Sequence, residues 1–290
     1  MAGAPPLHDD CAVSSSIASP SPAAPAFGRL LLTGAAGGLG RELRPRMRAL
    51  ARVLRVSDIQ PMAAAGHGEE VVVAALEEAA AVEAMVAGCD AIVHLGGISV
   101  EGPFLPIVQA NIVGTWNLYE AARRQRVRRI VFASSNHVTG FYRQDEVITP
   151  QDPVRPDGYY GISKAFGENL SRFYFDRYGI ETACMRIGSS FPEPKDRRML
   201  ITWLSYRDLT ELVRCSLFAP RLGHVIVYGA SANRDKWWDN REAAHLGFRP
   251  QDSSEQFRAK VETQPLPDPA DPATQYQGGA FVKNGPYETL

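Results

Sequence analysis

The chain has 290 residues, 45% of them apolar, and a formal net charge of −1. That length fits one large α/β domain or a domain with a small lobe, and the near-neutral charge offers no footprint for a polyanion such as nucleic acid. No apolar run is long enough to span a membrane. The four cysteines, Cys11, Cys89, Cys184 and Cys215, show neither CxxC nor metal-like spacing, which points to a reducing, cytoplasmic setting and no metal site.

Residues 1–27 are rich in Ala, Pro and Ser and contain no Lys or Arg. They lack the basic start of a secretory or transit signal and are expected to form a disordered tail. A single domain is expected over residues 28–290. In "RLLLT", Arg29 to Thr33 reads as a buried strand. A glycine-rich turn follows, then a helix to about Leu50. "ARVLRVSD" is a second strand ending at Asp58, "EEVVVAAL" a third, and "EEAAAVEAMVAG" a helix closed by Gly88. "CDAIVHLGG" is a fourth strand, a long helix runs from about Pro106 to Gln125, and "RRIVFASS" is a fifth strand. The arginines between Ala122 and Ile130 read as a solvated helix C-terminus, where cations suit the dipole. Another long helix opens in "DGYYGISKAFGEN" and continues to about Tyr178; "IETACMRIG" and "GHVIVYG" are strands six and seven. Strands alternating with helices predict a Rossmann-like, doubly wound parallel sheet of seven strands. The small C-terminal portion is expected to wrap the carboxyl edge of the sheet, where ligands bind in such folds.

"TGAAGGLG" puts Gly34, Gly37 and Gly40 directly after the first strand. A turn this tight needs residues without a Cβ, and the helix that follows aims its free N–H groups at an anion, most often a dinucleotide pyrophosphate. Asp58 closes the second strand, where a carboxylate binds ribose hydroxyls and repels a 2′-phosphate. Further along, Tyr160 and Lys164 are four apart and share one helix face. A free phenol is too weak a base near neutral pH, and a nearby ammonium favours its phenolate. The serines of "FASSNHVTG" sit at the carboxyl end of strand five, facing the same crevice.

The glycine turn, a serine after strand five and Tyr-x-x-x-Lys together resemble the extended branch of the short-chain dehydrogenase/reductase superfamily. That resemblance implies Tyr160 as acid/base, Lys164 as the cation that lowers its pKa, and Ser135 as the substrate-orienting hydroxyl. Ser135 is preferred over Ser134 because the family's hydroxyl lies three residues before a valine, here Val138. Tyr159 falls outside the Tyr-x-x-x-Lys spacing and reads as packing. "HLGGISVEGPF", "NIVGTWNLYEAAR", "RIGSSFPEP", "RRMLITW", "GASANRDKWWDN" and "QGGAFV" sharpen the likeness to the bacterial uronate dehydrogenases, from about Arg29 to Val282.

This second resemblance implies NAD-dependent oxidation of D-glucuronate and D-galacturonate at C1 to an aldarolactone, in a homo-oligomer. It implies an NAD site at Gly34, Gly37, Gly38, Leu39, Gly40, Asp58, Leu76, Leu95, Gly96, Gly97, Asn111, Ser134, Tyr160, Lys164 and Ile187. It implies a sugar site at Ser99, Ser135, Asn136, His137, Tyr160, Ser189, Arg198 and Phe281, mainly within 189–206 and 229–290. Arg198 is the expected carboxylate-binding residue, since a guanidinium fork matches a carboxylate; Arg197 is its rival. Ala75 stands where the family carries an adenine-binding Asp, which leaves adenine to backbone groups such as those of Leu76 and implies weaker NAD affinity. A nucleotide-sugar epimerase or dehydratase would share fold and triad but needs a larger C-terminal lobe. A non-catalytic NAD sensor would have no need of both Tyr160 and Lys164.

Overall fold

Seven strands form the sheet: β1 (Phe27–Thr33), β2 (Ala51–Asp58), β3 (Glu69–Val73), β4 (Ala91–His94), β5 (Arg129–Ser135), β6 (Glu181–Ile187) and β7 (His224–Gly229). The computed structural model describes residues 26–285 together with residues 1 and 287. The expected tail thus lies outside the described residues from residue 2 to residue 25, and so does Cys11. The strands pair in parallel in the order β3-β2-β1-β4-β5-β6-β7. The order reverses between β1 and β4, which opens a crevice at their carboxyl ends.

The helices are α1 (Gly38–Met47), α2 (Ala79–Val86), α3 (Phe104–Ile107), α4 (Gly114–Arg124), α5 (Tyr159–Tyr178), α6 (Met199–Thr202), α7 (Tyr206–Phe218), α8 (Glu255–Glu262) and α9 (Pro272–Gln275). Both sheet faces are covered, which is why the strands read as unbroken apolar runs. Leu30 and Leu32 pack with Leu43 and Met47 of α1 and Leu209 and Leu212 of α7. Leu31 faces the other way, against Val82 and Met85 of α2, Leu118 and Tyr119 of α4, and Tyr174 of α5.

The elements differ from the expected ones in three places. β3 and β4 are shorter than expected, because the chain turns into the crevice once past Val73 and His94. The link from β2 to β3, where no helix was expected, is an irregular ten-residue stretch, 59–68. The crossover from β6 to β7 does contain a helix, α7, which the sequence reading passed over; Ser205 caps it by accepting from the Asp208 N–H at 3.0 Å. The helix expected from about Pro106 starts at Phe104, and Val108–Val113 within it is wound as a π-helix. Such bulges concentrate at functional sites.

Candidate active site

The glycine turn is packed as a cradle. Gly34 has φ +70°, and a Cβ there would lie 2.7 Å from the Leu95 carbonyl carbon; a Cβ on Gly40 would lie 2.1 Å from the Gly34 oxygen. No side chain fits, so the backbone of the turn and of Leu95–Gly97 is left bare to a ligand. Gly37 caps α1, whose first residues are Gly38, Leu39 and Gly40. Asp58 reaches over the turn from β2 and accepts from the Ala36 N–H at 2.9 Å. Thr33 Oγ1 lies 2.7 Å from His94 Nδ1 and accepts from the Gly96 N–H at 3.1 Å, tying β1 to the loop after β4. Leu76 packs against Gly96 and Gly114, and its carbonyl accepts from Asn117 Nδ2 at 2.9 Å. These features fit a bound dinucleotide.

Asn111 sits inside the π-helical turn. Its amide accepts from the Ile98 N–H at 2.8 Å and donates to the Ile98 carbonyl and to Ser163 Oγ, each at 2.9 Å. It holds the loop after β4 against α5. Ser99 lies exposed in that loop. Two residues on, the Glu101 carboxylate accepts from the N–H groups of Tyr159 and Tyr160, each at 2.9 Å. Gly158, the residue before α5, provides no side-chain cap, so Glu101 supplies it from another element. Tyr159 is 38% exposed and packs edge-on against Phe104 at 5.1 Å.

Tyr160 and Lys164 are both buried on α5, the ammonium 5.8 Å from the centre of the phenol ring and 5.1 Å from that of Phe132. Gly161 allows α5 to approach: a Cβ there would lie 2.4 Å from the His137 carbonyl oxygen. The expected lowering of the phenol is not found with the protein's own groups alone. Burial pushes Tyr160 up to about 12, and the Ser135 hydroxyl is the neighbour that favours its phenolate. Burial likewise pulls Lys164 down to about 8. At these positions desolvation outweighs the pairwise attraction.

Ser135 and Ser134 part company at the end of β5. Ser135 Oγ accepts from the His137 N–H at 3.2 Å. Ser134 turns to the opposite side and donates to Glu168 Oε1 at 2.6 Å, so any cofactor contact from it would come through its backbone. In register beside Ser135 is Ile187. Asn136, with its amide oxygen toward Arg198, accepts from Nη2 at 2.8 Å and donates to the Ile187 carbonyl at 3.1 Å. Arg198 also donates to the Gln277 carbonyl (2.7 Å) and to Ser189 Oγ (3.4 Å). Arg197 points elsewhere, donating to the carbonyls of Glu262 and Gln264 at 2.8 and 3.1 Å. Phe281 stacks on His137 at 3.8 Å, and both rings neighbour Tyr160. Arg198, Asn136, Ser189, His137, Phe281, Ser135, Tyr160 and Lys164 are thus one connected cluster beside the glycine cradle.

A model of the NAD dependent epimerase/dehydratase family matches residues 30–219. A uronate dehydrogenase of Pseudomonas putida is 61% identical over 262 residues, which cover 90% of this chain and 98% of that protein. The chain belongs to the uronate dehydrogenase group of the NAD dependent epimerase/dehydratase family. Among solved structures, a glucuronic acid dehydrogenase from Chromohalobacter salexigens superposes with a TM-score of 0.88 at 52% identity, covering 89% of this chain and 98% of that one. A tyrosine-to-alanine mutant of the Agrobacterium tumefaciens uronate dehydrogenase, complexed with NAD, superposes with a TM-score of 0.88 at 54% identity, covering 90% and 99%. Like the other uronate dehydrogenases, this chain is an NAD-dependent oxidoreductase.

Three residues that build this uronate dehydrogenase site escaped the sequence reading. Glu101 is an isolated carboxylate, and Asp157 precedes a glycine and reads as a turn. Gln277 opens the "QGGAFV" motif but was given no role there; it accepts from Trp238 Nε1 (2.9 Å) and donates to the carbonyls of Arg143 and Glu146, each at 3.0 Å. A cavity of about 560 Å³ lies elsewhere, between α5, β7 and the 150–154 loop. Its arginines are already paired: Arg186 with Glu168, and Arg172 with Asp176.

Proposed function

We propose that the protein oxidises D-glucuronate and D-galacturonate at C1 with NAD, releasing the aldarolactone, with Tyr160 as the base. The observation that carries this reading is the placement of Arg198 in the same cluster as Tyr160, with Asn136 and Ser189 fixing its guanidinium. A fork held in place suits a carboxylate at one end of a sugar whose other end meets the phenol.

NAD, held by the glycine cradle, Asp58 and the Leu95–Gly97 backbone, supplies the hydride acceptor. Ser135 orients the C1 hydroxyl toward Tyr160. The phenolate of Tyr160 takes the hydroxyl proton, and the Lys164 ammonium steadies the negative charge. Oxidation at a hemiacetal carbon gives an ester within the ring, hence a lactone. Asn136, His137, Ser189 and Ser99 hold the hydroxyls and carboxylate, and Phe281 closes the pocket over His137. A homo-oligomer is part of this reading: Trp116 of α4 and Ile162, Phe173 and Tyr178 of α5 stay exposed, and apolar residues on neighbouring helices suit contact with a second copy.

The test is NADH formation with glucuronate, galacturonate, glucose and UDP-glucose. NADH formed with both uronates, and not with glucose, is expected. Absence of turnover with either uronate overturns the reading, and conversion of UDP-glucose favours an epimerase or dehydratase.

A further inference from the structure

We propose that Asp157 is a positioning residue that fixes which nitrogen of His137 meets the sugar: it accepts a hydrogen bond from Nδ1–H and leaves Nε2 as a bare acceptor for a substrate hydroxyl. The inference rests on the placement of His137 in the sugar pocket.

The geometry is specific. Asp157 Oδ2 lies 2.7 Å from His137 Nδ1, and the Asp157 side chain is 0% exposed. The Asp157 N–H also donates to the His137 carbonyl at 3.3 Å, so the two residues are joined twice. Glycines flank the carboxylate: a Cβ on Gly140 or Gly278 would lie 1.9 or 2.0 Å from Oδ2. No side chain can enter there to compete for the oxygen. Asp157 Oδ1 is buried without a partner, and among the described residues the carboxylate forms an ion pair only with His137. The imidazole cannot turn away, because Phe281 stacks on it at 3.8 Å with an interplanar angle of 19° and Tyr160 meets it at 63°.

The tautomer follows from the donor inventory. Burial holds His137 below its ordinary value, against the pull of Asp157. A neutral imidazole carries one N–H, and a carboxylate can only accept, so that hydrogen is on Nδ1. Nε2 has no hydrogen bond to any described residue, and the His137 side chain keeps 11% of its exposure.

The consequence is a division of labour. Arg198 is the donor for the substrate carboxylate, and Nε2 of His137 accepts from a hydroxyl. With the opposite tautomer, two neighbouring donors would compete for the carboxylate and the hydroxyl would face an N–H. A site built to pair a hydroxyl strongly rejects a ligand that lacks one.

The experiment uses the full chain with NAD, isotope-labelled at histidine. Nitrogen chemical shifts read the His137 tautomer without any sugar present, the signals being assigned by their loss in His137→Gln. Wild type is expected to carry the proton on Nδ1. Asp157→Asn, close in volume but able to donate, is expected to move it toward Nε2. The same variant is expected to lose about 10- to 100-fold in kcat/KM for glucuronate, the range for unpairing a buried polar group. In a His137→Gln background the Asp157→Asn change is expected to add nothing. A wild-type proton on Nε2 would overturn the inference. So would additive losses in the double variant, since a merely structural Asp157 would act independently of His137. Because the tautomer is read without sugar, it decides this inference even if uronate turnover is absent.

Discussion

Arg198 Nε donates to the main-chain oxygen of Gln277 at 2.7 Å, so the guanidinium is aimed by a segment far along the chain. Nearby Gly279 has φ +64°, and a Cβ there would lie 2.6 Å from Arg198 Cδ. On the proposed role of Arg198, removing the guanidinium would leave the substrate carboxylate unpaired. Arg198→Ala is expected to cost about 2–5 kcal/mol, roughly 30- to 5000-fold in kcat/KM for glucuronate, and to erase the preference over glucose. Arg198→Lys should recover part of this, since a point charge lacks the fork. Arg197→Ala should change little, because that side chain serves the carbonyls of Glu262 and Gln264. Steady-state kinetics on the three variants decides it; loss of the preference in Arg197→Ala instead would move the carboxylate site.

Tyr160→Phe keeps the ring against His137 and Phe281 but has no proton acceptor. A fall in kcat of about 10²- to 10⁴-fold is expected with NAD binding intact. Because burial raises the phenol to about 12, its phenolate fraction grows with pH, so kcat/KM in wild type should climb through the neutral range. A near-normal kcat in the variant would reassign the base.

Lys164 gives a stability prediction with a definite sign. Its ammonium is pulled from 10.5 to about 8 by burial, so the unfolded chain binds the proton more tightly. Below about pH 8 both states are charged and the burial penalty is fully present; it fades as pH rises from there through 10.5, above which both are neutral. Lys164→Met should therefore be more stable than wild type near pH 7, by on the order of 3 kcal/mol. That advantage should shrink in alkali while turnover is lost. Denaturant titrations at a series of pH values measure it, and a gap that does not narrow with pH refutes it.

Asp58 should set the cofactor. Its carboxylate is fixed by the Ala36 N–H and would repel a 2′-phosphate. Asp58→Ala is expected to cut the NAD/NADP ratio of kcat/KM by about tenfold or more, equivalent to about 1.4 kcal/mol. An unchanged ratio would show that the preference lies elsewhere.

Glu168 and Arg186 form a buried bidentate pair, at 2.9 and 2.8 Å, extended by Tyr228 and Ser134. Glu168→Ala leaves Arg186 charged and unpaired, and a loss of about 3–5 kcal/mol is expected. Thermal unfolding would register it as a large drop in Tm; a small one would mean that the site relaxes or hydrates.

The strands were legible because parallel strands under two helical layers are apolar on both faces, as Leu30, Leu31 and Leu32 are. The Tyr160–Lys164 pair was legible because helical spacing alone brings it together. α7 carried a readable signal, with Leu209, Leu212, Val213 and Leu217 on one buried face, and was overlooked. The π-turn at Asn111 has no periodicity of its own. Nor could spacing reveal that His137 would meet Asp157, twenty residues away, or that Arg198 would lean on Gln277, since both contacts arise only when loops close over the sheet. The phenol and ammonium pair could be located, but how far burial shifts them depends on depth, which sequence does not encode.

The dependence of Arg198 on Gln277, and of His137 on Phe281, imposes an order on manufacture. A ribosome-bound chain that has reached Gln275 already contains every strand, the glycine turn, Asp58 and the Tyr160–Lys164 pair. It lacks the strap that aims the guanidinium and lids the imidazole. The glycine turn and the Tyr160–Lys164 pair are thus encoded well ahead of the strap that aims Arg198 and covers His137, and a nascent chain completes the proposed sugar pocket last.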